Sequence, residues 1–351
     1  MSNGDYSKKI RGGNWLYDIS FIRPILLIML VSYHAFCYNS GAWNVPDGVT
    51  TNEIYKWLAN LSRAFRLEGF VFISGYVFAL QVFKKNKFNS VSQLAISKFK
   101  RLIIPSILFS TLYFYLFFAN KGVAFPTVDI ISGFAHMWYL PCLFWCFIGT
   151  YIIYKSNLKE SLVALLLLLL IPLSIAPLPL QLSSAMYYMF FFWAGGYIWK
   201  HSEQIKEWIT GRRILCAWIT FVVLVVAVNL LIEHLATLPG EGDRILKAIT
   251  LGSSKALKAT LAVSGIFALY ISALRYTANH SLKSWVVGIG DYGYSVYIVH
   301  QFVLIYLYYN TSLPQAVGST WLPWVGFLIT ATSSLLIAWA LRKTRVGRAL
   351  L

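Results

Sequence analysis

The chain has 351 residues, of which 58% are hydrophobic, 17% aromatic and 12% charged. A water-soluble domain carries about twice that charged fraction, and no soluble fold could hide so much apolar surface, so lipid is the solvent for most of the chain. Thirty Lys and Arg stand against 13 Asp and Glu, a net charge of +17. On so apolar a chain that excess belongs to cytoplasmic loops facing anionic head groups, and nucleic acid is set aside as a partner.

In chain order, the N-terminal stretch through Asp18 has no apolar core followed by a small-residue cleavage site, so the first span is expected to stay as an anchor. Apolar runs long enough to span then appear at 19–38, 64–83, 102–119, 135–154, 161–178, 183–199, 214–232, 256–274, 285–307 and 321–341. The run at 161–178 carries Pro172 and Pro177, which predicts a kinked, short or re-entrant segment. The ninth run starts with glycines and Asp291, and its first turn reads as interfacial.

Basic residues set the orientation. With the N-terminus in the cytoplasm, that side holds Lys8, Lys9 and Arg11, the Lys84–Arg101 loop, Lys155, Lys159, Lys200–Arg213, Arg275, Lys283 and Arg342–Arg348. The expected fold is therefore an all-α membrane protein, a polytopic bundle of about ten transmembrane helices with both termini cytoplasmic, forming a single domain over 1–351. Glu241–Lys258 departs from the pattern, placing four basic residues on the outer side. It reads either as a solvated loop or as a short surface helix that attracts an anionic acceptor such as a lipid-linked pyrophosphate sugar. Cys37, Cys142, Cys146 and Cys216 all fall in apolar stretches without soft-metal spacing, and neither a disulfide nor a metal site is expected.

Ionisable side chains inside spans are costly and mark function by default. Arg23 and His34 in the first span are eleven residues apart, which at 100° per residue puts them on one face, separated by about 16 Å along the axis. The second span opens with Arg63, Arg66 and Glu68 and continues to the small pair Ser74 and Gly75, which reads first as a packing notch. Arg63 and Arg66, three apart, share a helical face, and Glu68 needs a cation or a histidine beside it. The loop before Pro105 ends in the basic cluster Lys98–Arg101, which can hold a phosphorylated ligand. His136 and Trp138 sit at the outer end of the fourth span, where an aromatic belt is the ordinary reading. The ninth run carries Asp291, Tyr294, Ser295, Tyr297 and His300. Tyr297 and His300 share a face there, as a polar seam or a site.

These residues resemble acyltransferase family 3, the membrane acyltransferases of bacterial surface glycans. Asp18, Arg23 and His34 match the family's first-span pattern of Arg, ten residues, then His. The stretch with Ser74 and Gly75, the basic pair Lys98 and Arg101, His136 with Trp138, and Ser295, Tyr297 and His300 resemble its further motifs in the same order. Lys98 stands where the family has arginine, keeping the charge but losing the planar fork. No fused esterase-like domain is expected.

The resemblance implies a multi-pass protein of the bacterial inner membrane that moves an acyl group, acetyl first and succinyl second, from cytoplasmic acyl-CoA to a hydroxyl of a surface or lipid-linked polysaccharide. Acetyl-CoA is then a co-substrate, and no bound cofactor is implied. Lys98, Arg101 and Arg23 would hold the donor phosphates. His34 would act as general base or transient acyl carrier, with Glu68 orienting it. Arg63 or Arg66 would face the oxyanion or acceptor, supported by Ser74, His136, Trp138, Tyr297 and His300. A flippase of lipid-linked sugars is the alternative; such folds often show two related halves, and this chain shows no internal symmetry.

Overall fold

The computed structural model describes residues 17–237 and 244–350, and every regular element among them is helical. Lys8, Lys9, Arg11 and Glu241 lie outside the described residues. In chain order the helices are α1 (Tyr17–Phe36), α2 (Glu53–Arg63), α3 (Arg66–Ala79), α4 (Val91–Lys98), α5 (Ile104–Phe117), α6 (Thr127–Ser132), α7 (Tyr139–Lys155) and α8 (Glu160–Leu173). They continue as α9 (Leu182–Lys200), α10 (Ser202–Trp208), α11 (Gly211–Thr237), α12 (Arg244–Asn279), α13 (Ser284–Asp291), α14 (Gly293–Tyr309), α15 (Leu313–Lys343) and α16 (Arg345–Leu350).

Each of the ten apolar runs falls largely on helix. Among the described residues, seven helical stretches are long and apolar enough to cross a membrane: 17–40, 53–84, 91–117, 135–155, 211–235, 244–279 and 313–343. The other three runs form α8, α9 and the α13–α14 pair. The run at 161–178 ends as helix at Leu173, one residue after Pro172, and Leu180 and Gln181 take positive φ in the turn that follows. Its 14 residues reach about 21 Å, short of a hydrocarbon core of about 30 Å. In the other direction, α12 has 36 residues and reaches about 54 Å, so its basic first turns extend beyond the apolar layer. The Glu241–Lys258 segment is thus helix from Arg244 on, continuous with a span rather than a separate surface piece.

The chain groups into two compact units. The first comprises the described residues up to Leu67, Lys206–Phe221 and those from Gly265 onward; the second comprises Glu68–Ile205 and Val222–Ser264.

In the first unit α1 is lined by α13, α14 and α15. Near the start of α1, the Thr277 hydroxyl donates to Asp18 and the Leu282 N–H to the Tyr17 hydroxyl. There too Arg342 Nη2 donates to the Asp291 carbonyl at 2.8 Å. Near its end, the Tyr308 hydroxyl donates to the Ala35 carbonyl at 2.8 Å and the Tyr55 hydroxyl to the Thr320 carbonyl at 2.9 Å. It follows that α1 and α14 run parallel, and α15 returns antiparallel to both. Gly318 breaks the line of α15 with φ 68°, a conformation that glycine alone adopts without strain.

The second unit is built on a close crossing of α3 and α9. A Cβ on Gly75 would lie 1.8 Å from the Phe192 carbonyl oxygen, and one on Gly195 would lie 1.9 Å from that of Phe72. The notch expected at Ser74–Gly75 is this crossing, where two backbones meet because neither residue has a side chain. Phe78 then fills the space beyond, against Phe147 at 5.0 Å and Phe192 at 5.6 Å between ring centres.

Candidate active site

Two groups of buried polar side chains stand out, one in each unit. In the first unit they lie along one stripe of α1, which begins at a part-exposed ion pair. Arg23 pairs with Asp291 at 3.8 Å. Eleven residues on, the His34 and His300 rings meet with centroids 4.8 Å apart. Both histidines are buried, His300 completely. The two contacts come in the same order on α1 and on the α13–α14 segment, which is what parallel helices require.

Hydrogen-bond geometry assigns the protons of the pair. His34 Nδ1 lies 2.8 Å from the Leu30 carbonyl and 3.2 Å from His300 Nε2. His300 Nδ1 lies 2.7 Å from the Tyr297 carbonyl and 3.1 Å from that of Val296. A carbonyl only accepts, so each Nδ1 carries a hydrogen. His300 Nε2 is left with its lone pair toward the His34 Nδ1–H, and Nε2 becomes the basic nitrogen of His34. Tyr33 and Trp43 enclose the ring, at centroid distances of 4.9 and 5.7 Å. The Arg66 guanidinium lies 3.7 Å from the Tyr33 ring centre, a cation–π contact that fixes a buried positive charge one residue from His34.

Arg63 does not accompany it. The chain bends at residues 64–65 between α2 and α3, which interrupts the helical phase; Arg63 is exposed and Arg66 buried. The one-face reading of the two arginines held only for an unbroken helix.

In the second unit Glu68 is buried and accepts a hydrogen bond from the Tyr187 hydroxyl at 3.1 Å. Lys255 Nζ lies 5.2 Å from the Tyr187 ring centre. Trp138 stands 6.0 Å from the neighbouring Tyr188 ring, and buried His136 packs 5.7 Å from Tyr113. Ser74 turns its hydroxyl to the Phe70 carbonyl of its own helix at 2.8 Å.

Of Lys98 and Arg101, read as a pair, Lys98 ends α4 and Arg101 lies inside the wide π-type turn Phe99–Ile103 that follows. Lys98 is 8% exposed and encloses its ammonium among phenyl rings, 3.6 Å from the centre of Phe147 and within 6 Å of Phe78 and Phe88. Arg101 is exposed.

Tyr187 and Lys255 were not singled out from the sequence as site residues. Tyr187 sits in an aromatic helix where one tyrosine looks like any other, and Lys255 read as loop charge. Asp291 was noticed, but its pairing with Arg23 spans 268 residues and leaves no local trace.

Ionisable groups buried among apolar helices of spanning length define a multi-pass membrane protein. The sequence pattern of acyltransferase family 3, an acyltransferase domain, matches residues 16–343, nearly the whole chain, and the chain belongs to that family. No curated protein and no solved structure matches it.

Proposed function

We propose that the protein transfers an acyl group, acetyl in the first instance and succinyl as the second candidate, from cytoplasmic acyl-CoA to a hydroxyl of a surface or lipid-linked polysaccharide. The observation that carries this reading is the buried His34–His300 pair, with its proton positions set by three backbone carbonyls. The acceptor hydroxyl gives its proton to His34 Nε2 as its oxygen attacks the thioester carbonyl carbon. The C–S bond then breaks, and the imidazolium returns the proton to the departing CoA thiolate. His300 Nε2 accepts from Nδ1–H throughout and steadies the imidazolium, the orienting part first read for Glu68. Arg66 offers positive charge to the developing oxyanion. Arg23, paired with Asp291, lines the donor's route.

Glu68 and Tyr187, with Lys255, Trp138 and His136, serve the acceptor: a carboxylate and a phenol suit sugar hydroxyls, and aromatic rings suit sugar faces. Residues 1–351 serve as a single acyltransferase domain of about ten spans, both ends cytoplasmic, in a bacterial inner membrane.

The test is purified protein in liposomes with labelled acetyl-CoA and lipid-linked glycan acceptors, alongside mass spectrometry of surface polysaccharide from cells with and without the protein. Acceptor-dependent CoA release is the expected result. Glycan movement without CoA release would replace the reading with a flippase. Glu68→Gln keeps the shape of the side chain but weakens a charge-assisted hydrogen bond of about 1.5–3 kcal/mol. It is expected to lower kcat/KM for the acceptor by roughly ten- to a hundredfold while KM for acetyl-CoA stays put. An unchanged acceptor kcat/KM would remove Glu68 from the acceptor site.

A further inference from the structure

One cavity lies outside the groups described so far. Where α1 begins, a cleft of about 450 Å³ is walled by Tyr17 and Asp18 of α1, Lys206 of α10, and Arg275 and Thr277 of α12, all within the first unit. That volume falls in the range of small-molecule pockets, about 300–1,000 Å³. Lys206 and Arg275 are exposed at its rim, while Asp18 is buried and takes the Thr277 hydroxyl. The cleft thus offers two cations, a carboxylate with a hydroxyl beside it, and a phenol ring.

From these contacts, and resting on the donor reading above, we infer that the cleft holds the adenosine bisphosphate end of acyl-CoA. Lys206 and Arg275 bind its phosphates by charge-assisted hydrogen bonds. The Tyr17 ring flanks the base, and Asp18 accepts from its amino group or from a ribose hydroxyl. Position supports the match. Asp18 precedes His34 by 16 residues on one unbroken helix, about 24 Å along the axis, a reach suited to the extended pantetheine arm. The Arg23–Asp291 pair lies between the two. The phosphate role read from the sequence for Lys98 passes to Lys206 and Arg275, whose charges face an open cleft rather than a wall of phenyl rings.

The experiment compares acetyl-CoA with S-acetyl-N-acetylcysteamine, a thioester without the nucleotide, as donors to full-length protein in liposomes. Lys206→Ala and Arg275→Ala are each expected to raise KM for acetyl-CoA about tenfold or more, the worth of one charge-assisted hydrogen bond. KM for the short donor stays at the wild-type value in both, which also shows that the variants are folded, and Arg275→Lys recovers much of the loss. A double alanine variant with wild-type KM for acetyl-CoA overturns the assignment. If the wild type turns over neither donor, the donor reading itself fails. Calorimetry with adenosine 3′,5′-bisphosphate then decides the cleft separately: binding to wild type that the double variant loses supports it, and equal or absent binding overturns it.

Discussion

His34→Ala is expected to lower kcat for acyl transfer by about a thousandfold, with protein level and KM for acetyl-CoA close to wild type. A positioned general base contributes on the order of a hundred- to ten-thousandfold, and the upper half of that range applies where no water stands in for the lost imidazole. His34 is buried among Tyr33, Trp43 and His300, so alanine leaves a cavity walled largely by aromatic rings, with His300 Nε2 and the Leu30 carbonyl at its edge. His300→Ala is expected to cost less, roughly ten- to a hundredfold, because it removes one of the two acceptors of Nδ1–H and leaves the Leu30 carbonyl and the base itself. Its mark is a fall in kcat without a change in KM. Single-turnover acyl transfer with matched protein amounts reads both variants. Normal acylation by His34→Ala protein would take the residue out of the mechanism.

Gly195→Leu is expected to abolish the folded protein, and Gly195→Ala to lower its melting temperature markedly. A Cβ on Gly195 meets the Phe72 carbonyl oxygen at 1.9 Å and the Tyr76 nitrogen at 2.8 Å. Both are backbone atoms, so no rotamer change relieves the clash; α3 and α9 must move apart. Overpacking a core ordinarily costs about 1–3 kcal/mol, and a clash with backbone on a facing helix belongs above that range. Gly288 is the matched control, since nothing lies within 4 Å of a Cβ placed there. Thermal unfolding in detergent, with size-exclusion profiles, compares the three. A Gly195→Ala protein as stable as Gly288→Ala would mean that the crossing is looser than these distances require.

The sequence placed the helices well because each is written in contiguous apolar residues. It also placed Arg23 and His34 on one stripe, since both belong to a single uninterrupted helix. Their partners were beyond its reach. His300 is 266 residues from His34, and nothing local to either ties them together. Helical phase misled where the helix stopped: Arg63 and Arg66 lie on either side of a bend, and Arg101 lies inside the wide turn that begins just after Lys98. In both cases one charge was exposed and the other buried. The Ser74–Gly75 pair read as a notch because small residues signal close approach, although the facing glycine, Gly195, was not singled out. Tyr187 shows the reverse limit. Its contacts with Glu68 and Lys255 set it apart from the other tyrosines of an aromatic chain.

The shared direction of α1 and α14 has a bearing on how the stretch joining them is threaded. Two strokes that point the same way can be connected only by an odd number of passages through the layer. Five intervening stretches, 53–84, 91–117, 135–155, 211–235 and 244–279, are long enough to pass by themselves, and five is already odd. So α8 and α9 are bound to a common fate: either both traverse the bilayer or neither does, and α8, at 14 residues, decides for its neighbour. A cysteine placed at Pro177, in the bend joining them, reports which. With the N-terminus cytoplasmic, labelling by an impermeant maleimide from outside intact cells marks two full crossings, and protection from both sides marks a hairpin that dips in and returns.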